Sequence, residues 1–296
     1  MYEYTIESRH KNSHVITTPQ GVTKKTDLLI SDLHWDNPKC DRKLLKKHLD
    51  QALERGAGVF INGDAFCFMQ GKYDRRGNKS SIRPEHNTHD YFDAVIDDAV
   101  EFFGPYAEIL VWIAYGNHET GIVKRHEFDP LRNFVERFNE RWKQENPVAL
   151  GGYRSWLTHC MSRQSGSTYA FRISAFHGSG GGGVVTKSAI PMNRALTMTD
   201  GVDMIWQGHY HNATIDKAEK YYLTAKGRER IRTVWCVSTP TYKEEWGAEN
   251  TKGQGWHVET GKPPKPLGGV WVDYEIERDT TGGTDRTIIV ARPSFT

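Results

Sequence analysis

Apolar runs of five to seven residues, each ending where polar residues begin, recur at positions 27–31, 58–62, 109–115, 170–176, 203–207 and 233–238. Runs this short, rich in Val, Ile, Leu and aromatic residues, predict buried strands rather than helices. Between the first two, Leu44, Leu45, Leu49, Ala52 and Leu53 fall on one helical face and Gly56 stands where a helix stops, which predicts a β-α-β unit. The three- and four-residue spacing of Phe92, Val95, Ile96, Ala99 and Phe103 predicts a helix over 91–103, and that of Leu131, Phe134, Val135 and Phe138 another over 130–142. Beyond Thr233 the pattern turns to strands, with VWVDYEIE and RTIIVAR pairing through TTGGTD. The layout is α/β at first and more strongly β later.

Two stretches fit neither period. A basic insertion around 68–90, carrying Lys72, Arg75, Arg76, Lys79 and Arg83, reads either as a solvated loop or as a lid that binds phosphates. Positions 244–267, rich in Gly, Pro, Lys and Trp, read as a long loop or an irregular hairpin. No stretch looks like a linker, so the chain of 296 residues is expected to form one domain over 1–296. At this length about three quarters of the unfolded surface is buried on folding, enough for a core without disulfides.

Composition narrows the classes further. Cys40, Cys67, Cys160 and Cys236 lie far apart with no CxxC pair, which argues against a structural zinc site and a disulfide framework and favours a reducing compartment. The N-terminal MYEYTIESRHKNSH lacks an apolar signal core, and no run is long enough to span a bilayer, so the expectation is a soluble, cytoplasmic protein with no membrane partner. A net charge of +2 is too small to attract polyanions globally, so any nucleic-acid binding must come from local patches. Oligomeric state is open.

Five short polar blocks follow predicted strands: DLHWD from Asp32, GD at Gly63 and Asp64, GNHE from Gly116, FHG around His177 and GHYH from Gly208. Asp32 and His34, two apart at a strand end, can face one crevice, and Asp64 follows the next strand in the same way. Aspartate, asparagine and histidine together suit two divalent ions around a phosphate, placed roughly 3.5–4 Å apart. Mixed carboxylate and imidazole donors favour manganese, iron, zinc or nickel over magnesium or calcium. GSGGGG at 178–183 lacks the GxxxxGK spacing of a phosphate loop, and its place after His177 points to backbone packed close to the site. Of the thirteen histidines, His10, His14, His48, His126 and His257 read as ordinary polarity, while His86, His89 and His159 stay open. Trp35, Phe66, Phe68 and Tyr73 either pack beneath the crevice or stack a flat substrate group, packing being the commoner case.

These five blocks, in this order, resemble the calcineurin-like metallophosphoesterase superfamily, most closely its uncharacterised prokaryotic and phage members. The resemblance implies an α/β, four-layer sandwich with two central mixed β-sheets flanked by helices. It implies that Asp32, His34, Asp64 and His211 bind one divalent ion and that Asp64, Asn117, His177 and His209 bind a second. Manganese is the first choice, with iron, zinc or nickel as alternatives. His118 matches the non-ligand histidine that acts as a general acid, a role typically worth about 10²–10⁴-fold. The implied activity is phosphoester hydrolysis by a metal-activated hydroxide. A phosphodiester in a nucleic acid or nucleotide is the favoured substrate. The alternatives are a phosphomonoesterase acting on a metabolite, nucleotide or phosphoprotein, and a non-catalytic metal-binding scaffold. In one respect the chain departs from the pattern: many relatives orient that histidine with an aspartate where this chain has Cys67, leaving Asp36 and Asp74 as candidate partners.

Overall fold

The polar N-terminal segment folds as a hairpin, Thr5–His10 (β1) against Ser13–Thr17 (β2), which the search for apolar runs passes over because its outer strand is almost wholly exposed. The structure, a computed structural model, describes residues 3–68, 82–143, 145–183, 185–246, 256–279 and 286–296. The predicted β-α-β unit comes next: Lys24–Ile30 (β3), Arg42–Arg55 (α1) and Gly58–Asn62 (β4), with β3 and β4 parallel. Asp41 caps α1 by accepting the Leu44 N–H at 2.9 Å, and Gly56 ends it in the left-handed region at φ 58°.

The two helices predicted from spacing form over the expected residues, Tyr91–Phe103 (α2) and Pro130–Trp142 (α4). Between them lie Leu110–Ala114 (β5) and a helix the spacing does not announce, Asn117–His126 (α3). Phe103 of α2 packs on Phe134 of α4, ring centroids 6.0 Å apart. The later half supplies Ala149–Gly151 (β6), Arg154–Ser162 (β7), Thr168–Phe176 (β8), Ala189–Met198 (α5), Met204–Gln207 (β9), Thr214–Leu223 (β10) and Glu229–Ser238 (β11). Trp256–Glu259 (α6), Val270–Asp279 (β12) and Arg286–Phe295 (β13) complete the order. β12 and β13 pair antiparallel as predicted, although the connecting TTGGTD lies outside the described residues.

The strands make two mixed sheets, β1-β2-β7-β8-β9-β11-β10 and β13-β12-β3-β4-β5-β6. They face one another across a shared core: Trp112 of β5 meets Trp206 of β9 at 6.0 Å, and Phe171 of β8 meets Tyr274 of β12 at 5.3 Å. Each such buried aromatic contributes about 1.5–3 kcal/mol, and the shared core makes the two sheets one unit. Helices α1 and α4 contact the six-stranded sheet, and α5 contacts β9 of the other. The chain is therefore α/β with two mixed sheets and flanking helices. No described helix is long and apolar enough to cross a membrane.

Most of the basic insertion, 69–81, lies outside the described residues, so a lid role for Lys72, Arg75, Arg76 and Lys79 has no structural counterpart here; Arg83 is spent locally, donating to the carbonyls of Asn37 at 3.1 Å and Cys40 at 3.0 Å. Within 244–267 the described part is not featureless, since it contains α6 and a bridge joins Thr241 to Leu267. This topology sets the site. Asp32, Asp64, Asn117, His177 and His209 follow β3, β4, β5, β8 and β9 within three residues of each strand's end, and β3, β4 and β5 run parallel, as do β8 and β9.

Candidate metal centre

The backbone marks the site before the side chains do. Asp32 (φ 54°), His34 (49°), Asp64 (48°), His209 (67°) and His211 (51°) all sit in the left-handed region, which costs a residue with a Cβ of order 1–3 kcal/mol. Among the described residues, only Phe68, Glu127 and Lys187 share that distinction without glycine's freedom. The strained turns hold one another. Asp32 N donates to Gly63 O at 3.0 Å and His34 N to Asp64 O at 3.0 Å. Asp32 O accepts from Thr241 Oγ1 at 2.8 Å and from Tyr242 N at 3.1 Å. A Cβ on Gly116 would overlap the Asp64 carboxylate, so this block needs glycine.

Two groups of side chains converge, Asp32 with His34 and His211, and Asp64 with His177 and His209, the ligand atoms within each group lying within 4.8 Å of one another. His177 joins them, its Nε2 being 3.2 Å from Asp64 Oδ2 and 3.9 Å from Asp32 Oδ1. Asn117 opens α3 beside Asp64, because the next N–H, of His118, donates to Asp64 Oδ1 at 3.0 Å. All seven residues singled out as ligands are thus brought to one place, and buried groups of this kind can hold metal ions.

The hydrogen bonds show which atoms are left for a cation. Asp32 Oδ2 accepts from Ser31 Oγ at 2.5 Å and His209 N at 2.9 Å, while its Oδ1 has no hydrogen-bond partner among the described residues. His177 Nδ1 donates to Asn62 O at 2.7 Å, which turns Nε2 towards two carboxylates, where it holds a proton in the metal-free protein and would offer its lone pair to a cation that displaced it. His209 Nε2 donates to Gly180 O at 2.8 Å, freeing Nδ1 in the same manner. Asn117 Oδ1 is buried and unpartnered, and His34 Nε2 meets His211 Nε2 at 3.4 Å. Carbonyl partners on the far ring nitrogens, as at His177 and His209, are how metal-binding imidazoles are oriented. The residues fit a divalent ion of the kind mixed donors prefer. The glycine run divides: Gly178 (φ 120°) would meet the Cβ of His209 at 2.7 Å, whereas a Cβ on Gly180 or Gly181 would enter open space.

His118 stands against this cluster, its ring 4.8 Å from that of His34 and its Nε2 3.9 Å from Asp64 Oδ2. Cys67 orients it through the main chain: His118 Nδ1 donates to the backbone carbonyl of Cys67 at 2.6 Å. That backbone is held in turn by Asp36, whose carboxylate accepts from Cys67 N at 2.5 Å, Phe68 N at 2.8 Å and Tyr91 Oη at 2.9 Å. Asp36 therefore acts indirectly, and Asp74 lies outside the described residues. Burial disfavours the charged form of His118, but the Asp64 carboxylate and the interactions with Cys67 together outweigh it and push the imidazole up to about 10. Burial likewise opposes protonation of His177, and Asp64 followed by Asp32 raises it to about 9.

Glu119 is a residue beside the cluster that block reading leaves without a role. Buried at the N3 position of α3, it accepts from Gly116 N at 2.8 Å, Phe66 N at 2.9 Å and Asp64 N at 3.2 Å, which locks the Asp64 turn to the helix start. Its signal in the sequence is a glutamate three residues after a helix-starting glycine. Trp35, Phe66 and Phe68 are buried and pack beneath the crevice; Tyr73 lies outside the described residues. A separate group, Glu85, His86 and Asp98, already has its cation, because Arg42 Nη2 sits 2.7 Å from Asp98 Oδ2. Compared with models of known protein families and with curated proteins, the chain matches none.

Proposed function

We propose that this protein is a phosphoester hydrolase of the calcineurin-like metallophosphoesterase type, holding two divalent ions, with manganese first, and acting on phosphodiesters of a nucleic acid or nucleotide. The observation that carries the reading is the convergence of strained backbone at Asp32, His34, Asp64, His209 and His211 with buried atoms left without hydrogen-bond partners at Asp32 Oδ1, Asn117 Oδ1 and His177 Nε2. Two mixed sheets with flanking helices agree with the four-layer sandwich of that superfamily. Asp32, His34 and His211 would hold one ion, Asn117, His177 and His209 the other, and Asp64 would serve both. Ions bound there supply charge to the phosphoryl oxygens and lower the pKa of water.

The chain's own residues do the rest. Asp32, Asp64, His177 and His118 are buried while His209 and His211 are partly exposed, so substrate approaches from the side of His209 and His211. His118, fixed by the Cys67 carbonyl, keeps Nε2 towards the cluster, where a proton on that atom can pass to the departing oxygen. A departing alkoxide needs that proton more than a departing phenolate does, which favours alkyl over aryl phosphoesters. Turnover of a generic diester and a generic monoester by manganese-loaded protein tests the proposal. Diester hydrolysis is expected. Exclusive monoester turnover would overturn the substrate preference, and inertness towards a broad phosphoester panel would favour a non-catalytic scaffold.

A further inference from the structure

Among the described strands each sheet ends in two open edges, β1 and β10 in one, β13 and β6 in the other. An open edge offers its N–H and C=O groups to any further strand, and folds blunt it with bulges, proline or shortness. Three of these four edges are blunted in that way: the β1 ladder shifts register between Ser8 and His10, β13 carries Pro293, and β6 is three residues long. Strand β10 has none of these devices. Its sequence, TIDKAEKYYL, contains neither proline nor glycine, and it pairs with β11 in unbroken register from Thr214 to Leu223. Towards its far end Tyr221 and Leu223 are 69% and 67% exposed, and Ile231, opposite Tyr221 on β11, is 43% exposed. All three lie on one face of the hairpin.

Lysine also protects edges, but the charges of β10 are arranged to match a copy of themselves. Two identical strands set antiparallel about a two-fold axis normal to the sheet bring one central residue opposite itself and its neighbours opposite one another. Centred on Ala218, this register sets Lys217 opposite Glu219 and Asp216 opposite Lys220, each pair occurring twice by symmetry. It also sets Tyr221 opposite Ile215, which packs against the core of its own chain. Centred one or two residues to either side, the register sets Asp216, Lys217, Glu219 or Lys220 against its own copy, and like charges directly opposite are destabilising. Among the described residues none of the four is ion-paired. Asp216 Oδ1 accepts from Lys217 N at 2.8 Å, Lys217 Nζ lies 5.0 Å over the Trp235 ring, Glu219 accepts from Thr233 Oγ1 at 2.9 Å, and Lys220 Nζ donates to the carbonyls of Leu196 and Thr199 at 2.6 and 3.0 Å.

We propose that β10 is a dimer interface, at which two copies of this chain pair antiparallel about Ala218 and join their seven-stranded sheets into one. A second copy is the partner because the charge order along the strand complements itself in a single register, which a foreign strand would not require. Strand β10 begins three residues after His211, so the same pairing carries the tip of each hairpin towards the loop that bears the partner's His209 and the partner's His211.

Sedimentation velocity of the full chain, across a concentration series from micromolar to near millimolar, tests the proposal independently of any catalysis. The wild type is expected to pass from one to twice the chain mass. Lys217→Glu and Glu219→Lys, both at exposed positions, each set like charges opposite at two places and are expected to raise the dimer dissociation constant about tenfold or more. Mixed together, the two variants restore opposite charges at both places and should associate as the wild type does. The double variant, with the charges exchanged within one chain, should also dimerise like the wild type, and it decides the matter if circular dichroism shows either single variant to be misfolded. A wild type that stays monomeric, single variants that dimerise unchanged, a mixture or double variant that stays monomeric, or growth beyond the dimer would each overturn the proposal.

Discussion

Two clusters of buried charge and imidazole share this fold, and they are built on opposite terms. Inside the sandwich, Lys25 Nζ donates to both oxygens of Asp27, at 3.1 and 2.9 Å, and to His159 Nδ1 at 2.7 Å, while His159 stacks on Tyr274 at 5.1 Å. One cation offsets one anion there, the imidazole lone pair is spent although its Nε2–H finds no acceptor among the described residues, and none of the three residues has a positive φ. At the strand ends the reverse holds: carboxylates and imidazoles crowd together over turns that strain the backbone, and Asp32 Oδ1 and His177 Nε2 are left without hydrogen-bond partners among the described residues. Burial of titratable groups therefore does not by itself mark a functional site. What marks one is that the groups fail to satisfy each other and the fold still holds them together.

Breaking each cluster should have different consequences. The largest effect is expected from Asp64→Ala, which removes a carboxylate shared by both halves of the metal centre; turnover should disappear together with bound metal, measured by elemental analysis. Asp27→Asn strands the Lys25 charge and should cost about 3–5 kcal/mol in denaturant unfolding, yet leave metal content unchanged. A fall in metal content would show that the two clusters are not separate. His118→Ala should keep its metal and lose about 10²–10⁴-fold in turnover. Asp36→Asn, acting through the Cys67 carbonyl, should lose less, about 10–100-fold; metal loss in either variant would contradict these roles.

The smallest effect concerns pH, and here the clusters differ in sign. Burial, then Lys25, hold His159 well below the ordinary value of 6.5, so its contribution to stability is present above that pH and is lost as pH falls below it. His177 is raised to about 9, so in chelator-treated protein its contribution is full below 6.5 and is lost as pH rises through 9. Unfolding followed across this range should show His159→Gln flattening the acid side and His177→Gln the alkaline side, each by on the order of 1 kcal/mol. Identical profiles for the two variants would erase the distinction.

Sequence reading reaches the strand ends well because hydrophobic period and polar blocks coincide there. Gly58–Asn62, Tyr91–Phe103 and Pro130–Trp142 form as predicted, since nearly continuous apolar burial or a clean helical face leaves little ambiguity. Strand β10 escapes because it is half exposed along its length, with Lys217, Glu219 and Lys220 facing water or polar neighbours, and no apolar run announces it. The partner of His118 escapes for another reason: a main-chain carbonyl has no residue type, so a search for a substitute aspartate finds Asp36 but not the route by which it acts.

The central claim is that Asp32, His34, Asp64, Asn117, His177, His209 and His211 hold a pair of divalent ions. Native mass spectrometry of the manganese-treated full chain counts them directly. Two ions per chain in the wild type, and fewer in Asp64→Ala, are the predicted masses. A wild type that takes up none, or an Asp64→Ala variant that binds as many as the wild type, would contradict the account.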